Sequence, residues 1–448
     1  MTLMLPLLFA AASALDELLP VPVKVETLEG TAEDAAMRNV AVVRAAVTNA
    51  PAATADEAYE LEVRKDGVTV TAPTRRGEIW AKVTLDQLAK LSGGKVPCCR
   101  IVDWPALRWR GYMNDCGRNF LALEGVKAMI DLASLYKMNL FHWHVADYHG
   151  WRLESKKYPQ LSKPETMTRQ LGKFYTQDEF RELVDYAYAR GVTVMPEFDI
   201  PGHAEAFRQA FGFKSMRDPG VVETLVDLVN ELCTLAPKEK MPFVHLGGDE
   251  VWDEKEKFSP GDMTSVAQAV TDNGRTVVTW DPGEGFEAEG PRVAMLWGHS
   301  QAADCPWFDA RGWYIEDYDP FEVLGAGAYL APFRGQRAHP QQLGAIFCGW
   351  HDSAVGLPYD RTFRNQPVFP SCVALGDLYW HGRNYQPTFS RRRLPLAGDP
   401  AIEVARDLER RMIAQRDLDN IRFEREALSS EAIPEDVENT SDFLDKRY

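Results

Sequence analysis

Two rhythms of apolar and polar residues divide this chain. Ala58 to Arg64 alternates, Asp66-Gly67 punctuates it, and Val68 to Ala72 alternates again. Alternation with period two sets one face of a strand against a core, and an Asp-Gly between two such runs predicts a hairpin. A helix-like stretch, Thr84 to Leu91, follows. Residues 15–100 therefore read as a small α+β accessory domain that closes near the Pro97 to Pro105 turn region. From Arg110 onward the rhythm changes to short continuous apolar runs: Gly111–Asp115, Asn139–Asp147, Thr193–Asp199, Phe243–Glu250, Thr276–Asp281, Val293–Trp297, Gly312–Glu316 and Ala345–Asp352. Amphipathic helices are predicted between the early ones, over Val126–Tyr136, Asp178–Ala189 and Val221–Leu235. Eight such runs alternating with helices predict parallel βαβ units closed into a (β/α)8 TIM barrel over residues 101–428.

The polar positions support that count. Asp115, Asp147, Asp199, Asp249, Glu250, Asp281, Glu316 and Asp352 each stand at the downstream end of their run, the end at which barrels build active sites. A single Asp there is explained as well by capping the next helix; the whole set is not.

Composition adds exclusions. The formal charge of −16 repels phosphate backbones and argues against a nucleic-acid partner. No run reaches the ~20 apolar residues a membrane-spanning helix needs. Residues 1–14 are apolar and end in Ala12-Ser13-Ala14, a small-x-small pattern that reads as an export signal cleaved after Ala14, although no basic residue precedes the apolar run. The seven cysteines are scattered without C-x-x-C spacing and read mostly as buried small apolar residues. Ala401–Leu428 is a charged helical stretch, and residues 429–448 form an acidic tail. Oligomeric state is not encoded in any of these features.

The strongest chemical signal is His245-Leu-Gly-Gly-Asp-Glu250. Two glycines let the backbone turn and a ligand approach, and two adjacent carboxyls then point in different directions. Glycoside hydrolysis needs an acid to protonate the leaving oxygen and a group to stabilise an oxocarbenium-like centre. Four further segments accompany it in order: Arg110 to Phe120, His142 to Arg152, Phe174-Tyr-Thr176 and Glu197 to His203. Together these resemble the motifs of the family 20 glycoside hydrolases, the β-N-acetylhexosaminidases, over about residues 55–425.

That resemblance implies exo-acting, retaining hydrolysis of terminal β-linked N-acetylhexosamine from a glycan, with the substrate's own 2-acetamido oxygen as nucleophile. Glu250 matches the general acid/base and Asp249 the residue that orients the acetamide. Asp147 and His203 match groups that tune the acid, and Arg118 the grip on O3 and O4. Trp280, Trp297 and Trp350 match the walls of the acetamide pocket. Tyr314 and Glu316 stand for the family's Tyr-x-Asp, with Tyr318 close enough to compete, and Trp350-His-Asp352 for its Trp-x-Glu. One methylene more or less at each acid leaves the choice between gluco and galacto epimers open. No cofactor and no metal are implied. Two other readings remain: a barrel glycosidase with two conventional carboxylates, such as Asp147 with Glu250, and a glycan-binding barrel that has lost catalysis.

Overall fold

The computed structural model describes residues 13–298, 300, 304–311, 314–315, 339–351, 368–382, 398 and 401–416. The accessory domain is a five-stranded sheet ordered β1-β5-β3-β4-β2, made of β1 (Lys24–Ala32), β2 (Val40–Val43), β3 (Tyr59–Arg64), β4 (Gly67–Thr71) and β5 (Val96–Asp103). β3 and β4 are the expected hairpin, with Leu61 opposite Val70 and Val63 opposite Val68. The short α1 (Asp34–Arg38) follows β1, and α2 (Arg75–Leu91) covers the sheet. Thr74 caps α2 by accepting from Gly77 N–H, so the helix starts nine residues before the predicted Thr84. Gly77 obscured that start because glycine weakens helix propensity; here a side chain at Gly77 would strike the Ala58 carbonyl at 2.5 Å. The predicted Pro97 turn region is also corrected. Val96–Asp103 is a strand between β1 and β3, and Pro97 sits where the β1 pairing slips register, a place that tolerates a missing donor.

The barrel strands are β6 (Trp109–Asp115), β7 (Leu140–Asp147), β9 (Thr193–Ile200), β10 (Phe243–Gly247), β11 (Thr276–Asp281), β12 (Arg292–Leu296), β13 (Trp307–Asp309) and β14 (Gln342–Gly349); β8 (Gly150–Trp151) folds back antiparallel on β7. Every barrel neighbour is parallel, and β14 pairs with β6 to close the ring. Successive residues divide between two cores, as period two requires. On β7, Phe141, Trp143 and Val145 face the helical layer; on β14, Ala345 and Phe347 do so while Ile346 and Cys348 fill the barrel interior. The layer outside includes α3 (Leu123–Leu135), α4 (Gln177–Ala189), α5 (Glu205–Phe211), α6 (Val221–Thr234), α7 (Asp262–Asp272) and α8 (Val368–His381); α9 (Ala401–Arg416) packs beyond it.

The seventh strand was misplaced in the sequence. It is Trp307–Asp309, ending at Asp309, which accepts from Arg311. Of the predicted Gly312–Glu316, Tyr314 makes an isolated parallel bridge to Cys348, and Gly312, Trp313 and Glu316 lie outside the described residues.

Accessory domain and barrel share buried ionic contacts. Arg110 pairs with Glu57, which also accepts from Trp80 and Asn139. Lys137 reaches Asp103 at 3.0 Å and the Tyr59 hydroxyl at 2.8 Å, and Trp380 on α8 donates to Asp103 at 2.8 Å. All seven thiols are free, six of them buried. No helix of the described residues is long and apolar enough to cross a membrane.

Candidate active site

Strand register assembles the floor of the site. His144 on β7 stands opposite Glu197 on β9, which stands opposite His245 on β10. His142, two residues before His144, points the same way. The three histidines converge with Trp280 from β11 around one fully buried carboxylate, Glu197. Trp280 Nε1–H donates to Glu197 Oε1 at 2.9 Å, His142 Nε2 lies 2.8 Å from Oε2, His245 Nδ1 lies 2.9 Å from Oε1, and His144 Nδ1 bonds Oε2 closely. Burial works against charge on Glu197, but the surrounding histidines, His144 foremost, hold its carboxyl well below the usual range. Burial also opposes charge on His144, yet Glu197 and Asp147 hold that ring well above its usual value. Burial pushes His142 down to about 4, so it stays neutral. Glu197 was legible only as part of a motif; the alternate placing of His142 and His144 on a buried strand was the signal that an inward anion faced them.

From His144 a chain of contacts climbs to the mouth of the barrel. His144 Nε2 lies 2.9 Å from Asp147 Oδ2; the same oxygen is 3.2 Å from Arg118 Nη2 and 3.5 Å from His203 Nδ1. His203 Nε2 in turn lies 3.5 Å from Glu250 Oε2. Arg118 is fixed at its other end by Asp115 at 3.0 Å, and Asp115 also accepts from the backbone N–H of His351, which ties β14 to β6. Burial would raise Asp147, but Arg118 and His203 beside it hold it well below the ordinary carboxyl range. Burial would depress His203, but Asp199, Asp147 and Glu250 hold it well above. The four predicted residues Arg118, Asp147, His203 and Glu250 therefore meet in one network.

The two terminal carboxyls of His245–Glu250 occupy different environments, as their adjacency required. Gly247 and Gly248 have φ of 67° and 104°, and Glu250 itself sits at 49°. A side chain at Gly247 would collide with Asp199 Oδ1 at 1.8 Å, so glycine there is what admits the Asp199 carboxyl beneath the turn. Asp249 points inward and is buried, with Oδ1 lacking a hydrogen-bond partner among the described residues. Burial lifts its carboxyl to about 6; His203 works against the rise and Glu197 adds to it. Asp199 is raised well above the usual range by burial and by Asp249 next to it. Glu250 faces outward with its side chain 42% exposed, and its hydrogen bond to His203 lowers it. One carboxyl is an inward acceptor awaiting a donor; the other is an accessible proton carrier.

The remaining wall is aromatic. Trp280 and Trp350 have centroids 5.7 Å apart, Tyr314 meets Trp350 at 5.9 Å, and Trp350 lies 4.9 Å from the Arg118 guanidinium. Trp297 packs against the same cluster while donating to the Pro282 carbonyl at 2.8 Å. Glu316, Asp352 and the competing Tyr318 lie outside the described residues, so neither acid substitution is placed. Tyr314 is placed, packed against the aromatic cluster.

Groups whose ligand atoms lie within 4.8 Å of one another, which the scattered spacing in the sequence had not suggested, could hold a cation: His142–Glu197–His245, His144–Asp147–Asp199 and Asp199–His203–Asp249. In the first of these the His142 and His245 nitrogens stand 2.8 and 2.9 Å from the Glu197 oxygens.

The model of "Glycosyl hydrolase family 20, catalytic domain" matches residues 107–218, and that of "Glycosyl hydrolase family 20, domain 2" matches residues 9–104. A beta-hexosaminidase of Vibrio furnissii is 37% identical over 238 residues, 45% of this chain and 38% of that protein. A beta-N-acetylhexosaminidase of Cellulomonas fimi is 32% identical over 314 residues, 64% of this chain and 61% of that one. The chain thus spans between about two fifths and three fifths of the length of these relatives. Among solved structures, a beta-N-acetylhexosaminidase of Bacteroides fragilis superposes with a TM-score of 0.69 at 24% identity, covering 84% of this chain and 92% of that one. An exo beta-N-acetylglucosaminidase of Vibrio harveyi superposes at 0.71 with 22% identity, covering 90% and 78%. At those identities the structural likeness bears on the fold.

Proposed function

The chain belongs to glycosyl hydrolase family 20, and from that premise we propose that it is an exo-acting, retaining β-N-acetylhexosaminidase working through the substrate's 2-acetamido group. The observation that carries this reading is the buried, partnerless Asp249 Oδ1 beside the accessible Glu250. An acceptor turned inward suits a donor such as an acetamide N–H and cannot bond a glycosidic oxygen, which has no proton to give.

In this reading the acetamide sits against Trp280 and Trp350, and its N–H donates to Asp249. Its carbonyl oxygen attacks C1 as the bond from C1 to the leaving oxygen breaks, and Glu250 delivers a proton to that oxygen. The Asp249 carboxylate offsets the positive charge that grows on the ring-closed, oxazoline-type intermediate. Glu250, now ionised, then takes a proton from water as the water opens the ring at C1, and two inversions give retention. Holding the acetamide in place makes the attack intramolecular. In the open site His203 keeps Glu250 ionised; a sugar over the cleft removes its water and favours the protonated form the first step requires. Arg118, pinned by Asp115 and Asp147, offers a fixed fork to a terminal sugar's hydroxyls.

The two-carboxylate alternative fares worse on one specific point. Asp147 is 2% exposed and engaged by Arg118, His144 and His203, so it cannot reach an anomeric carbon. The test compares 4-nitrophenyl N-acetyl-β-glucosaminide with the plain β-glucoside. Cleavage of the first alone is expected; comparable cleavage of both would overturn acetamide participation. We also propose export: cleavage after Ala14 would leave the packed Leu15, Leu18 and Leu19 intact. Secretion of the full chain, with an N-terminus at Leu15 by mass, tests it.

A further inference from the structure

We propose that Trp252 and Glu256, with Tyr148 opposite, form a leaving-group subsite that takes a flat-faced, uncharged sugar and disfavours an anionic one. The proposal rests on the hexosaminidase reading above and specifies what the scissile bond releases. Trp252 is 79% exposed, the most exposed of the chain's large apolar side chains among the described residues, and stands two residues past the catalytic acid. Its backbone N–H donates to the Glu250 carbonyl at 2.9 Å, so ring and acid ride on the same turn. Tyr148, Gly202, His203, Glu250, Trp252 and Glu256 line an open cleft of about 160 Å³. One water needs about 10–15 Å³, so this is space for a ring-sized group.

The loop that carries Trp252 is held from several sides. Asp253 N–H donates to Glu256 Oε2 at 3.3 Å, Glu256 N–H to the Asp253 carbonyl at 2.9 Å, and Met216 N–H to the Lys255 carbonyl at 2.7 Å. A fixed loop that leaves an indole in water beside the acid presents a stacking face at no cost in ordering. The aromatic wall of Trp280 and Trp350 is buried in the barrel, whereas Trp252 is exposed and lines the same open cleft as Glu250. Pyranose C–H faces suit such a platform. Glu256 sets the polar preference. Its half-buried carboxylate lines the cleft and has no cation within ion-pair distance among the described residues; Lys255 pairs with Glu205 and Asp253, and Lys257 with Glu254. A carboxylate there accepts from sugar hydroxyls or an amide N–H and repels a sulfate or uronate.

The test measures kcat/KM on three N-acetyl-β-glucosaminides, with a methyl, an N-acetylglucosamine or a sulfated N-acetylglucosamine leaving group. Trp252→Ala should lose about tenfold more on the disaccharide than on the methyl glycoside, mainly through KM, while Trp252→Phe keeps most of the difference. Glu256→Gln should narrow the gap between neutral and sulfated leaving groups by several-fold. Equal losses on the methyl glycoside and the disaccharide, or none on either, would overturn the platform. An unchanged sulfate gap would overturn the charge preference. The activity reading fails separately, by a wild type that does not distinguish acetamido from plain glycosides; stacking would then be read from quenching of Trp252 fluorescence by the released sugar, wild type against Trp252→Ala.

Discussion

The two halves of the barrel mouth solve different problems with different materials. From β6 to β10 the site is a lattice of charge, in which Glu197, His144, Asp147, Arg118, His203 and Glu250 are each tied to the next within 3.5 Å. From β11 to β14 it is a set of aromatic faces with centroids near 6 Å apart. A charge network has one working geometry, since a buried ion without its partner is strongly destabilising. An aromatic wall needs volume and flatness and tolerates change. Trp280 joins the halves, because its ring belongs to the wall while its N–H belongs to Glu197.

Removing pieces of the lattice should do the most damage. Glu250→Gln is expected to lower turnover of a sugar leaving group by about 10³-fold, in the range for general acid catalysis, and to spare aryl leaving groups more; equal losses on both would end the acid assignment. Asp249→Asn should lower kcat by about 10²–10³-fold. The same substitution should stabilise the fold at pH 7.5. A carboxyl lifted to about 6 favours the folded state fully below its unfolded value near 4 and loses that advantage as pH rises through 6. Asparagine removes the loss, so the thermal midpoint should rise by the equivalent of about 1–3 kcal/mol at pH 7.5 and by little at pH 4. A midpoint lowered at both pH values would contradict the buried charge. For the same reason kcat/KM of the wild type should fall below about pH 6, as Asp249 takes up a proton.

Glu197→Gln tests whether the halves are coupled. It leaves His144 without its anion and weakens the acceptor of Trp280, so activity should drop about tenfold or more with a displaced pH profile, read alongside circular dichroism of the fold. A loss that leaves the profile in place would confine Glu197 to packing. The smallest effect should come from the wall itself. Trp280→Phe forfeits one buried hydrogen bond, about 1–3 kcal/mol, and should raise KM several-fold with little change in kcat.

The same contrast governs what could be read from sequence. Charge geometry fixes short motifs at strand ends, so Arg118, Asp147, His203, Asp249 and Glu250 were legible and the structure gathers them. The hairpin was legible from Asp66-Gly67, and β7 from its uninterrupted run. Other elements were hidden by a residue serving two needs. Gly77 disguised the start of α2 and Pro97 the strand β5, and the three-residue seventh strand, Trp307–Asp309, is too short to stand out as a run. Glu197 was legible only within its motif, because its partners come from three other strands and meet it only through register.

The contacts between the accessory sheet and the barrel also impose an order on biosynthesis. Glu57 and Asp103 leave the ribosome before Arg110, Lys137, Asn139 and Trp380, the groups that later neutralise and hydrogen-bond them. Within the first domain Glu57 has Arg76 and Trp80 and Asp103 has Tyr59, so the two carboxylates, which end 2% and 0% exposed, start the interface half-satisfied and are fully paired only when the barrel arrives. Synthesis of the second domain completes a burial that the first one begins.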